Sequence, residues 1–358
     1  RFMYLPSLGI CLALGAFYQS VQQRLKTSPF YARFFVLICA GIFSMLMFKT
    51  SAQTRVWKDS VTLWSQVIKY EPKKVLAYQN RAAAYVEQER YVLAMQDLEH
   101  AIMLAPQQAI LYYCRADLFE KKGDWQSALN DLDRSASLNP DDALVYFSRG
   151  KVYQTLGQTQ KALQDYNFAI AKKPDLDRAF YNRGIIFDEI GKTDLALADY
   201  AQVIRINPKH GKVYNNRAFI YLARGEYEKA RLDLFKAIAI DPRNEQAYSN
   251  LGSLAFARQD YPNALYYFEK AIALDPNFAD AYVNRAVMYA LSGKNELALA
   301  DLNRAIVLDK KKANAYVTRA FLNYNLNKID LVSEDLQKAL AIDPDDVKAQ
   351  ELKSKLIP

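Results

Sequence analysis

Four asparagines, Asn182, Asn216, Asn250 and Asn284, stand 34 residues apart in the second half of the chain. A primary amide carries both a hydrogen-bond donor and an acceptor, which are the two groups that a peptide backbone also offers. Each such bond contributes about 0.5–1.5 kcal/mol net, so several amides in a row can hold an extended polypeptide without reading its sequence. The same residues are equally compatible with four solvated polar positions.

The elements that position these asparagines repeat with the same period. Counted from residue 75, tyrosine or phenylalanine occupies the fourth position of all eight segments, and alanine occupies the twentieth position of seven. Glycine or asparagine at position fifteen predicts the end of a first helix, and proline at position thirty-two the end of a second. Proline recurs every 34 residues, except that Lys310 stands where one of these prolines is expected. The prolines are Pro72, Pro106, Pro140, Pro174, Pro208, Pro242, Pro276 and Pro344.

This pattern resembles the tetratricopeptide repeat family over about four-fifths of the chain, since a 34-residue helix hairpin is its signature. The resemblance implies an all-α, right-handed superhelix whose first helices line a concave, peptide-binding face. Because only neighbouring hairpins cover each apolar face, we expect a capping helix at each end, within residues 51–74 and 347–358. The predicted repeats are 75–108, 109–142, 143–176, 177–210, 211–244, 245–278, 279–312 and 313–346.

Positions seven and twenty-three of the repeat vary together. Position seven is arginine and position twenty-three is aspartate in seven repeats, whereas the sixth repeat has Leu251 and Tyr267 instead. The joint loss predicts that the two side chains form an ion pair between the helices of one hairpin, with a structural rather than a catalytic role. The predicted structural pairs include Arg183 with Asp199 and Arg217 with Asp233.

The asparagine positions resemble the asparagine ladder in the superhelical repeats of O-GlcNAc transferases. Aromatic side chains lie near them, and aromatics at helical spacing are typical of a core, but these positions face away from the hairpin interface in the predicted register. We therefore predict an apolar groove that contains a row of polar asparagine side chains. The predicted peptide-binding residues are Asn182, Asn216, Asn250, Asn284, Tyr181, Phe219, Phe256, Phe321 and Tyr324.

Two basic residues, Arg178 and Lys212, occupy position two of their repeats and resemble half of the carboxylate clamp of chaperone-binding repeats. That clamp also requires a basic residue at position six, where this sequence has none. We therefore do not expect recognition of a free C-terminal carboxylate.

The charge distribution argues against a nucleic-acid partner. The chain has 358 residues, 51% of them hydrophobic, and a net charge of +8. Ten basic and two acidic residues lie in residues 1–74, which leaves 37 of each in the remainder. A neutral array lacks the basic surface that phosphate backbones require. The excess positive charge belongs to the first fifth of the chain.

Residues 1–50 contain two apolar runs, 2–18 and 30–48. Each is close to the roughly 20 residues that cross a bilayer, so they predict two transmembrane helices that anchor the chain in a lipid bilayer through residues 2–48. A buried helical hairpin of a soluble protein is the alternative. Basic residues flank both runs, so charge does not set the orientation.

The segments RFMYLPSLG (1–9) and TRVWKDSVTLWSQVIKYEP (54–72) resemble the C-terminal part of membrane glycosyltransferases that carry tetratricopeptide repeats, including transmembrane O-mannosyltransferases. The resemblance implies a repeat domain in the periplasm or the endoplasmic reticulum lumen. It also implies catalytic acidic residues in an early loop that this sequence lacks. Because the first residue is arginine, we expect the chain to begin partway through a longer protein.

The sequence offers no catalytic, cofactor or metal site. It has two histidines and three widely spaced cysteines, and no phosphate-binding glycine loop. We predict a membrane-anchored, non-enzymatic scaffold that binds protein or peptide segments. The alternative is the repeat region of a membrane protein O-glycosyltransferase, which presents acceptor proteins to a catalytic part elsewhere. Oligomeric state is not predicted.

Overall fold

The computed structural model describes residues 15, 16, 19, 29–56 and 59–356. In this part of the chain the secondary structure consists of nineteen helices and no strands. The first two are α1 (Pro29–Val56) and α2 (Ser60–Tyr70), and α19 (Val347–Leu356) is the last. Between α2 and α19, each predicted repeat contains two helices of 13 or 14 residues.

The first helices of the repeats are α3 (Val75–Glu87), α5 (Ala109–Lys122), α7 (Ala143–Thr155), α9 (Asp177–Glu189), α11 (Gly211–Ala223), α13 (Glu245–Ala257), α15 (Ala279–Leu291) and α17 (Ala313–Asn325). The second helices are α4 (Tyr91–Leu104), α6 (Trp125–Leu138), α8 (Thr159–Lys172), α10 (Thr193–Ile206), α12 (Tyr227–Ile240), α14 (Tyr261–Leu274), α16 (Asn295–Leu308) and α18 (Ile329–Ile342).

The helices form two compact units, Arg1–Pro140 and Asp141–Pro358. In the first unit, α3 pairs with α4 and α5 with α6, and α2 packs on α3. In the second unit, the six pairs from α7 to α18 pack in sequence, with α19 against the last of them. Within each unit, the two helices of one repeat contact each other most extensively, and the second helix then contacts the next first helix.

The crossing point of each hairpin is set by complementary side-chain volumes at positions eight and twenty-four. An added Cβ on Gly184 would lie 2.7 Å from the ring of Tyr200, so this aromatic residue requires glycine opposite it. Repeats three and six use the same combination, Gly150 with Tyr166 and Gly252 with Phe268. In the other five repeats alanine faces leucine. Because cores are close-packed, the two positions must vary together.

Position fifteen is left-handed in all eight repeats. The five glycines have φ between 69° and 74°, and Asn327 has φ 56°. The same conformation occurs at Glu89 (φ 58°) and Gln259 (φ 62°), which the sequence pattern did not predict. The hairpin therefore imposes this turn even where the side chain disfavours it.

Helices α2 and α19 lie at the two predicted capping positions. In α2 the Asp59 carboxylate caps the helix by accepting from the Thr62 N–H at 2.8 Å. In α19, Ala349 and Leu352 are buried against the last repeat and cover its apolar face. These contacts agree with the need of a repeat array for closed ends.

The predicted membrane spans are not supported. Helix α1 covers residues 30–48, but none of the helices within the described residues combines the length and the apolar character that crossing a membrane requires. The prediction rested on the length and the hydropathy of the two apolar runs, 2–18 and 30–48. The other predicted span, 2–18, lies outside the described residues except for Gly15 and Ala16.

Candidate polypeptide-binding site

The first helices of repeats five to eight form one continuous face. Helix α11 contacts α13, α13 contacts α15, and α15 contacts α17, whereas consecutive second helices make at most marginal contact. Within the second unit, this packing draws the first helices together and places them on the inner side of the layer. We call the surface that these helices present, together with α9, whose Asp188 lines a cavity with residues of α11 and α13, the first-helix face.

The position-seven arginines point from the first helices into the hairpins. In repeat four, Arg183 donates from Nε to Asp199 Oδ2 at 2.8 Å and from Nη2 to Asp199 Oδ1 at 2.6 Å. The same two-bond arrangement joins arginine and aspartate in the other six repeats that carry the pair. All seven aspartates are buried, so each carboxylate depends on its arginine.

The rest of the guanidinium is also used within the protein. Arg183 Nη1 donates to Asn167 Oδ1 of the preceding repeat at 2.6 Å, and its Cζ lies 5.5 Å and 5.6 Å from the ring centroids of Phe180 and Phe187. In repeat five, the bond to Asp233 raises the pKa of Arg217, although burial opposes the rise. These arginines are therefore structural, and no free nitrogen of Arg183 is left for a ligand.

The sixth repeat replaces the ion pair with apolar packing. Leu251 is only 3% exposed, and it lies in the core of the second unit with Tyr267 packed against it. A cavity of about 460 Å³ opens beside the two residues on the second-helix side. The hairpin therefore folds without the pair.

Three of the four asparagines use only one half of their amide inside the protein. The Nδ2 groups of Asn182, Asn216 and Asn284 each donate a long bond of 3.3 Å to a side-chain hydroxyl of the preceding repeat. Their Oδ1 atoms accept no hydrogen bond from the part of the chain that the structure describes. The hydroxyl acceptors, in the same order, belong to Tyr166, Tyr181 and Ser249.

Asn250 is oriented the other way. Its Oδ1 accepts from Gln246 Nε2 at 3.4 Å, and the side chain is buried. The ladder therefore consists of three carbonyl acceptors, with one more deeply placed amide between the second and third.

The predicted aromatic residues divide into two groups. Phe219 is 58% exposed and lines a cavity on the first-helix face, whereas Phe256 is 38% exposed and its ring centroid lies 6.0 Å from that of Tyr261 in α14. In contrast, Tyr181, Phe321 and Tyr324 are partly buried against the hydrophobic core. For these three the core interpretation of helical aromatics applies, because each packs against a buried hydrophobic cluster.

Three predicted residues, Asn216, Phe219 and Asn250, line one cavity of about 330 Å³. The other six predicted residues do not line it. Sequence reasoning missed the remaining members of its wall, which come from repeats four to six and share no repeat position. They are Ile185, Asp188, Glu189, Tyr200, Asn215 and Gln246.

Comparison with known proteins identifies the repeat. Tetratricopeptide repeat models match residues 75–108, 116–183, 177–210, 200–232, 218–256, 245–278 and 267–300. Together these matches cover more than half of the chain. No curated protein matches it.

Similar solved structures show the same fold. A tetratricopeptide repeat protein from Parabacteroides merdae ATCC 43184 matches with a TM-score of 0.62 and 24% identity, over 70% of this chain and 99% of that one. The Cut9–Hcn1 hetero-tetramer of APC/C matches with a TM-score of 0.57 and 19% identity, over 80% of this chain and 56% of that one. The matched structures show the fold, and the repeat models place the chain in the tetratricopeptide repeat family.

Proposed function

We propose that this chain is a non-enzymatic scaffold that binds an extended polypeptide along the first-helix face of repeats four to seven. The observation that carries the proposal is the half-used amide of Asn182, Asn216 and Asn284. Each keeps a carbonyl oxygen for a ligand while its nitrogen is held by the preceding repeat. Such oxygens suit the N–H groups of a peptide backbone.

Apolar contact adds to these bonds. Phe219 exposes a large ring surface on the same face, and burial of such surface contributes about 25 cal/mol per Å². Backbone bonds and apolar contacts together give binding that tolerates many sequences. The absence of a large net charge on residues 75–358 means that such binding should depend weakly on salt.

The test is capture of unstructured peptides by the chain with Asn182, Asn216, Asn250 and Asn284 all replaced by alanine. A peptide array of unrelated twelve-residue sequences measures capture, and circular dichroism confirms that the variant folds. We expect most peptides to lose binding, by about tenfold or more if two bonds of about 0.7 kcal/mol are lost. The matched control replaces four exposed glutamines of second helices with alanine, at Gln126, Gln160, Gln164 and Gln337. Unchanged capture by the asparagine variant would refute the proposal.

The glycosyltransferase alternative, in which these repeats present acceptor proteins, rests on the resemblance of residues 1–9 and 54–72. The location of the repeats in the periplasm or the endoplasmic reticulum lumen is proposed on the same basis. Sequencing upstream of Arg1 tests both: further apolar spans and an acidic loop would support them, and a nearby start codon would exclude them.

A further inference from the structure

The cavity of about 330 Å³ on the first-helix face lies where three repeats meet. The end of α9 supplies Asp188 and Glu189, the middle of α11 supplies Asn215 and Phe219, and α13 begins beside them. Tyr200 of the second helix α10 also lines it. The cavity is therefore open to the surface on which we propose that polypeptide binds.

Two buried polar side chains in this wall have oxygens without a hydrogen-bond partner. Tyr200 is fully buried, which raises the pKa of its hydroxyl; the neighbouring Asn216 side chain opposes the rise, but no group of the described residues reaches hydrogen-bond geometry with the hydroxyl. Asn215 is also buried; its Nδ2 donates to Asn244 Oδ1 at 3.0 Å, but its Oδ1 accepts nothing. Since a buried polar group without a partner is costly, these oxygens point to a donor supplied by a ligand.

The charged residues that line the cavity are both acidic. Asp188 and Glu189 form no ion pair or side-chain hydrogen bond within the described part of the chain, and no basic residue lines the cavity. Burial raises the pKa of Asp188. This contrasts with the seven position-twenty-three aspartates, each of which holds an arginine.

Phe219 completes the site. Its ring is 58% exposed beside the two carboxylates. A planar cation can lie over an exposed aromatic face while it donates sideways to carboxylate and amide oxygens. A guanidinium has this shape and five donors, whereas an ammonium has three donors around a point charge.

We propose that this cavity binds an arginine side chain of the captured polypeptide, with the guanidinium between Asp188 and Phe219. The inference rests on the proposed function. It adds a preference for arginine at one position of a polypeptide whose other positions can vary in sequence. Donors of the guanidinium would pair with the Asp188 carboxylate and with the unpartnered oxygens of Asn215 and Tyr200.

The test compares three capped nine-residue peptides that differ only at the centre of a glycine, serine and alanine sequence. The central residue is arginine, its uncharged isostere citrulline, or lysine. Kd is measured by titration in 50 mM and 500 mM NaCl. We expect the arginine peptide to bind at least tenfold more tightly than the citrulline peptide at low salt and at least threefold more tightly than the lysine peptide. We also expect a smaller preference at high salt, because screening weakens the attraction.

Asp188→Asn should remove most of the preference for arginine over citrulline while it leaves the thermal unfolding temperature unchanged or higher, because Asp188 has no partner to lose. The matched control is Asp330→Asn, an equal charge change at an exposed position in α18. It should retain the preference.

Equal Kd values for the arginine and citrulline peptides would overturn the inference, as would a preference that survives Asp188→Asn. Equal binding of arginine and lysine would overturn the guanidinium assignment. In each case the proposed function still stands if the peptides bind and lose affinity in the four-asparagine variant. If unrelated peptides fail to bind the unaltered chain, the proposed function itself fails.

Discussion

Positions six and seven of each repeat are neighbours in sequence and differ in how they use their hydrogen-bonding capacity. Arg183 donates from all three guanidinium nitrogens, to Asp199 and Asn167. Asn182 donates from its amide nitrogen to Tyr166, and its amide oxygen accepts no hydrogen bond from the described residues. Adjacent residues of a helix project about 100° apart, so one enters the hairpin while the other reaches the first-helix face. Under the proposed function, unused hydrogen-bonding capacity rather than polarity distinguishes a binding position from a structural one.

The sixth repeat sharpens this comparison. There position seven is Leu251 inside an apolar core, yet position six is still Asn250. The residue type at position six is thus retained when position seven changes, although the Asn250 amide is buried and accepts through its oxygen. We expect variants at position seven to alter stability and variants at position six to alter binding.

The largest expected effect is that of Arg183→Leu. It leaves the Asp199 carboxylate, 4% exposed, without its partner, so we expect a loss of about 3–5 kcal/mol in the free energy of unfolding in urea. Adding Asp199→Tyr, the combination of the sixth repeat, should restore part of the loss. A double-mutant cycle with strictly additive losses would contradict the pairing.

The reverse change, Leu251→Arg, should destabilise by roughly 2–3 kcal/mol, because the new guanidinium faces Tyr267 instead of a carboxylate. The effect is smaller than that of Arg183→Leu since a long arginine can reach towards solvent. Adding Tyr267→Asp should recover stability. Urea unfolding checks both variants, and failure of the second substitution to help would show that the pair depends on more than its two residues.

Asn284→Ala tests the other side of the comparison. It removes one long bond to Ser249, so the free energy of unfolding should fall by less than about 1 kcal/mol. Peptide affinity should fall measurably, whereas Arg285→Leu should mainly reduce stability. If Asn284→Ala destabilises the fold as much as Arg285→Leu does, position six is structural after all.

The smallest effect concerns pH. Burial lowers the pKa of His210, whose ring lies 4.6 Å from that of Tyr181. The unfolded chain then binds a proton more readily than the folded one, so stability is full above the ordinary histidine pKa of about 6.5 and is lost as pH falls below it. His210→Gln should flatten the fall in unfolding temperature between pH 7.5 and pH 5.5. An unchanged slope would assign the pH dependence to other groups.

The parts of the molecule that repeat eight times could be predicted from the sequence. Hairpins and the partnership of Arg183 with Asp199 follow from covarying positions, because the same contact is recorded in every repeat. The cavity for which we propose binding could not be predicted in this way. Asp188, Asn215 and Tyr200 occupy three different repeat positions and meet only through the packing of α9, α10 and α11.

The assignment of aromatic residues shows the same limit. Phe219 and Phe321 share position nine, yet only Phe219 is well exposed, whereas Phe321 is partly covered by core packing near the end of the array. Helical periodicity gives the direction of a side chain but not what the neighbouring repeat places over it. The interpretation of residues 30–48 as a membrane span rested on the length and hydropathy of two apolar runs, and helix α1 does not meet the length and apolar character that a span requires.

The most direct test of the central claim is photo-crosslinking from two exposed phenylalanine positions. A benzophenone amino acid replaces Phe219 on the first-helix face in one variant and Phe235 on the second helix α12 in another, where the native rings are 58% and 46% exposed. With an unstructured peptide that the chain captures, we predict strong crosslinking from position 219 and background crosslinking from position 235. Equal crosslinking, or crosslinking mainly from position 235, would contradict binding on the first-helix face.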